Sequence, residues 1–101
     1  MFDTRNDLRA NVRTKLIELL NARLADAIDL GTQTKHAHWN VKGPHVDALS
    51  SALAAFGAKV RAGIDEAARI GDADTADLFT GISRETDKDL WFLEAHLHAK
   101  R

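Results

Sequence analysis

Gln33-Thr34-Lys35-His36-Ala37-His38-Trp39-Asn40-Val41-Lys42-Gly43-Pro44 is the stretch that decides how this chain is read. A long helical pattern runs into it, and the Gly-Pro pair breaks that pattern. Just before the break stand two histidines and a tryptophan. Histidine carries protons near neutral pH and ligates metals, and a rigid helix is a good platform for it. His36 and His38 are two residues apart, about 200° around a helix, so they cannot both face one metal ion.

Working outward, the segment leading into the stretch, about 4–41, carries Leu8, Val12, Leu16, Leu20, Leu24 and Ile28 at four-residue steps, with Ile17 and Leu19 widening the stripe. This predicts an amphipathic helix of unusual length. Beyond the break, about 46–70, Val46, Leu49, Leu53, Phe56, Val60, Ile64 and Ala67 step by threes and fours, as in a coiled-coil seam. Ala52, Ala54, Ala55, Gly57, Ala58 and Gly63 surround that seam and leave room for a neighbouring helix. Gly71 ends the segment, and Asp72 is a candidate N-cap for a third helix over about 73–99. In that helix Phe79, Ile82, Leu90, Leu93 and Leu97 form one stripe, while Leu78, Trp91 and Phe92 point elsewhere. A helix apolar on more than one face is covered on more than one face, which points to a second subunit. The fold class read from these patterns is all-α, one domain of three long helices joined by short connections.

Composition narrows the function. The chain has 101 residues, a net charge of −1 and no cysteine. Thiol chemistry, disulfides and cysteine metal sites are therefore excluded. The near-neutral charge gives no global electrostatic case for nucleic acid. No run of about 18 apolar residues occurs, so no membrane partner is expected. Met1 to Arg5 has no apolar core of the kind a secretion signal needs. The expected location is cytoplasmic. A chain of this size buries only about 60–70% of its unfolded surface, so self-association would help it.

The run QTKHAHWNVKGP (33–44) resembles the first-helix signature of the Dps-like mini-ferritins, and GDADTADLFTGISRETDKDLWFLEAHL (71–97) resembles the last helix of the same family. With the first helix the likeness covers most of the chain, and the two motifs fall in the family's order. One departure is large. The family carries a second long helix after the Gly-Pro turn, then a crossover; here His45-Val46-Asp47-Ala48-Leu49 already looks like the family's third long helix. The resemblance therefore implies a ferritin-like bundle lacking one helix, with the empty slot completed by oligomerisation. It implies iron(II) oxidation, iron storage and DNA protection as the family's activities, iron as the bound metal, and self-assembly from a dimer up to a dodecameric shell. The runner-up reading is a helical homo-oligomeric assembly module without catalysis.

Residue by residue, His38 matches the family's first-helix iron ligand, and Trp39 the tryptophan beside it. The remaining ligands belong to the absent helix, so the ferroxidase site is incomplete in this chain and no catalytic residue is assigned. His45 and Asp47, just past the turn, are the residues that could join His38; the alternative is that His38 is packed or hydrogen-bonded at an interface. Asp74 is the candidate for an iron-entry pore, since the family lines its pores with acids around this helix start, although acids at a helix N-terminus are stabilising in any case. Arg5, Arg9, Arg13 and Lys15 are the DNA-binding candidates, by likeness to the basic tails of some family members. They are interspersed with Asp3 and Asp7, and a solvated helix face explains them as well. His96 and His98 stand in the last turn, where protonated histidine favours the helix dipole; metal binding is the alternative.

Overall fold

The computed structural model describes residues 4–39 and 43–99, with the backbone alone at 36–39, 43–45 and 99. Three helices make up the described chain: α1 (Ala10–Trp39), α2 (Gly43–Ile70) and α3 (Ala73–Ala99). The fold is all-α. α2 is the central element and packs along both α1 and α3, which approach each other far less. Among the described residues, no helix is long and apolar enough to cross a membrane.

α1 starts at Ala10, later than its apolar pattern suggests, because the residues before it satisfy their backbone otherwise. The Asn6 N–H donates to Thr4 Oγ1 at 3.1 Å, and the Leu8 N–H to Asn6 Oδ1 at 2.9 Å. Such side-chain turns compete with helix formation. The Gly43-Pro44 pair opens α2. Proline at a helix start is well placed, since its missing N–H has no partner there anyway.

The α2–α3 connection is fully accounted for. Gly71 has φ of 100°, a left-handed conformation that costs glycine nothing. Its N–H bonds the Ala68 carbonyl at 3.1 Å, and the Asp72 N–H bonds the Ala67 carbonyl at 3.1 Å. This is the two-bond closure of a Schellman motif. Asp72 then caps α3: its carboxylate accepts from the Thr75 N–H at 3.2 Å and from the Thr75 hydroxyl.

The core lies along α2. Leu19, Val60, Ala67 and Phe79 are buried together, with Leu20, Phe56, Ile64, Ala76 and Ile82 packed against them. Gly63 lets the Phe79 ring lie against the α2 backbone, and Thr86 meets α2 at Gly57 in the same way. Thr75, Ser83 and Thr86 are the buried polar side chains of that seam.

α1 departs from the even stripe of its sequence. Leu16 is buried and Leu20 part-buried, but Leu24 and Ile28 are 58% and 63% exposed. Four residues turn about 400°, so each four-residue step swings the side chain about 40° further round the helix. By Ile28 the stripe has left α2. Part-buried Ala27 and Leu30 take its place toward α2, together with Asp26, which pairs with Lys59 at 3.4 Å and with Arg23 at 3.1 Å. Trp91 and Phe92, which stand against each other with ring centroids 5.1 Å apart, are also exposed.

The molecule measures 52 × 22 × 16 Å with a radius of gyration of 16.4 Å. A compact domain of this length would have about 13 Å. Three helices side by side make a slab, and a slab has two faces to cover.

Candidate functional site

Antiparallel packing sets which ends of the helices meet. α1 and α2 run in opposite directions, as do α2 and α3, so the start of α2 lies beside the end of α3. The last turn of α1, which carries His38, precedes the start of α2 directly in the chain. The His38 and His45 side chains, with those of His36 and Trp39, lie outside the described residues. The backbone places His38 on the final turn of α1 and His45 in the first turn of α2.

Asp47 is the one metal candidate whose side chain is described. It is exposed and lines a shallow cavity of about 350 Å³ with Ser50, Ser51, Glu94, Leu97 and His98. Glu94 and His98 are one helical turn apart on the same face of α3. Their meeting with Asp47 was not visible in the sequence. The Glu-x-x-x-His spacing was there to see, but only the α2–α3 pairing brings an aspartate opposite it. Among the described residues, no group of three or more histidine, cysteine or acidic side chains is close enough to hold a metal ion. Asp47, Glu94 and His98 therefore form a polar end to the slab rather than a finished coordination shell.

Asp74 is exposed in the first turn of α3 and shares a cavity of about 320 Å³ with Asp72, Thr75 and, across from them, Asn6, Asp7 and Arg13. Two sequence candidates with separate expected roles thus face one space. Arg13 is the more constrained. Its Nη1 donates to the Leu8 carbonyl at 2.7 Å and, at the 3.5 Å limit, to the Asn6 carbonyl. It caps the backbone ahead of α1, and a guanidinium so engaged has fewer donors left for a phosphate. Arg5, Arg9 and Lys15 are exposed. Lys15 lines a wide groove between α1 and α2 with Arg23 and Arg69, where Glu18 and Glu66 interleave with the cations. Mixed charge of this kind gives no continuous positive track along which a nucleic-acid backbone could run.

No family model matches the chain. It is similar to a DNA protection during starvation protein of Agrobacterium fabrum (strain C58), 31% identical over 156 residues, an alignment that covers 96% of each chain. That span is longer than the 101 residues of this chain, so more than a third of the aligned positions have no counterpart in it. The likeness therefore reaches both ends while the relative carries substantially more between them.

Proposed function

The chain belongs to the family of the DNA protection during starvation (Dps) proteins, within the ferritin-like proteins, and from that premise we propose that it is a homo-oligomer that protects DNA by binding iron(II) as its substrate and withdrawing it. The carrying observation is the end-to-end alignment with a protein named for DNA protection. His38, placed by its backbone on the last turn of α1, is this chain's contribution to iron binding. Asp47 is the exposed carboxylate that could join His38, and Asp74 the one through which the cation would arrive. Protection in this reading comes from sequestering iron more than from coating DNA. The net charge is −1, and Arg13 is committed to the Leu8 carbonyl. The cytoplasm is the expected place of action.

The donor set bears on how far the chemistry can go. Iron oxidation by dioxygen or peroxide needs several histidine and carboxylate ligands with positions left open. The resemblance places the family's other iron ligands in a helix this chain lacks, and the relative carries more residues over the same aligned span. That is the ground for a second reading, an assembly module that keeps the family's helices without its oxidation site. The test is oxygen-dependent loss of added iron(II), followed for the wild-type chain and for His38→Ala. Wild-type loss faster than the buffer, slowed about tenfold or more in His38→Ala, supports iron handling. Loss no faster than the buffer supports the assembly module, and an unchanged rate in His38→Ala removes His38 from the site.

A further inference from the structure

The sequence carries histidine at His36, His38, His45, His96 and His98, and the fold brings all of these positions to one end. α1 closes with His36 and His38, α2 opens with His45, and α3 closes with His96 and His98. With neighbouring helices antiparallel, these three termini lie together at one end of a molecule 52 Å long. The α2–α3 turn, with Asp72 and Asp74, stands at the other end. The two histidines of α3 have no part in the proposed iron site.

The described side chains at the histidine end form two facing walls. Asp47, Ser50 and Ser51 on α2 and Glu94, Leu97 and His98 on α3 line one cavity of about 350 Å³. Each set follows the three-and-four spacing that keeps residues on one helix face. Glu94 and His98 stand about 40° apart around α3 and about 6 Å apart along it. A carboxylate and an imidazole so placed can close on one cation, as a helical His-x-x-x-His pair closes on zinc. Both side chains are exposed, so neither gives up packing when it turns toward an ion. His96 lies two residues from each, about 200° around the helix, and faces away.

Charge gives an independent ground. Glu94 lies in the last two turns of α3, where the unpaired carbonyls of the helix end already concentrate negative charge. Among the described residues it forms no ion pair. Asp47 adds a second carboxylate on the facing wall, and no described lysine or arginine lines the cavity. A cation between the walls would relieve both carboxylates.

We propose that Glu94 and His98 chelate a divalent transition-metal ion of the zinc(II) type, with Asp47, Ser50 and Ser51 holding the waters that complete its shell. Two protein donors are involved, in keeping with the finding that no three converge among the described residues. The imidazole sets the selectivity. Nitrogen ligation favours zinc(II), nickel(II) and copper(II), whereas magnesium(II) takes oxygen. The site uses neither His38 nor iron chemistry, so the two proposals stand or fall separately.

The test is calorimetric titration of the whole chain with zinc(II) chloride. His98→Ala should weaken zinc binding about tenfold or more and Glu94→Gln about threefold or more, because each removes one arm of the chelate. His96→Ala, on the other side of the helix, should change it by less than about twofold. Unchanged binding in His98→Ala or Glu94→Gln overturns the proposal. An equal loss in His96→Ala means loose binding by any histidine of the last turn, and overturns it as well. Magnesium(II) bound as tightly as zinc(II) means carboxylates without the imidazole, with the same consequence. Loss of zinc binding in His38→Ala places the ion at the end of α1 instead, and also overturns it. A second readout needs no substitution. In proton spectra of the wild-type chain, zinc(II) should move the His98 imidazole resonances more than those of His96; the reverse order overturns the assignment.

Discussion

Gly63 tests the α2–α3 seam with a single methyl group. It lies on the buried side of α2 where Phe79 crosses. A Cβ there would stand 3.5 Å from two ring carbons of Phe79 and 3.6 Å from a third. These are ordinary van der Waals distances, so Gly63→Ala displaces nothing. Replacing glycine by alanine inside a helix gains about 1 kcal/mol. Three new carbon contacts at about 0.1–0.2 kcal/mol each add a few tenths more. The sum, about 1 to 1.5 kcal/mol, corresponds to a melting temperature about 5–10 °C higher for a domain of this size. Gly63→Val should reverse the sign. Its γ-carbons must enter the space the ring fills, and overpacking of that kind costs about 1–3 kcal/mol. The assay is thermal unfolding by far-ultraviolet circular dichroism, with all chains at one protein concentration. A lower melting temperature for Gly63→Ala would mean that the helices approach more closely than the structure places them. A rise for both variants would mean that the seam is loose.

Two further substitutions bracket that result. Phe79→Ala removes the largest fully buried side chain among the described residues, 2% exposed, and should cost about 3–5 kcal/mol, a large share of the 5–15 kcal/mol typical of a whole domain; a loss under about 1 kcal/mol in urea unfolding would place Phe79 outside the core. Gly71→Ala should lower the melting temperature by about 5–10 °C, opposite in sign to Gly63→Ala, because φ of 100° is strained for any residue with a Cβ and costs about 1–2 kcal/mol; an unchanged melting temperature would mean that the turn can re-form without the left-handed residue.

How well the sequence could be read differs between α1 and α2 for one geometric reason. In α2 the apolar steps mix threes with fours, which keeps Val46, Val60 and Ala67 on one line, and these three are buried. In α1 the steps are all four, and a strict four-residue repeat winds round the helix. A list of spacings shows both as apolar stripes; only the accumulated angle separates the half that packs on α2 from the half that leaves it. The Gly71 stop and the Asp72 cap were legible because each acts within a few residues of chain. The tie from Arg13 to the Leu8 carbonyl was not, because the same arginine in an extended tail reads as a phosphate contact. Nor was the approach of Asp47 to Glu94 and His98, which depends on where α2 and α3 cross.

The same angle connects the fold to its function. A helix that spirals its apolar residues off one neighbour needs another where the spiral leads. On α1 that place begins near Leu24 and runs toward the turn that carries His38. A partner seated there would approach the end of the helix where the proposed iron ligand stands. The relative carries more residues over the same aligned span, and the resemblance places the family's other iron ligands in the helix this chain lacks. Under the reading proposed above, a second copy is a source of further donors, so that assembly and iron binding are one property of this chain. Leu24→Glu, made well away from any histidine at a side chain exposed in the single chain, should then lower the oligomer's mass and the rate of iron(II) loss together; a change in one without the other would separate them.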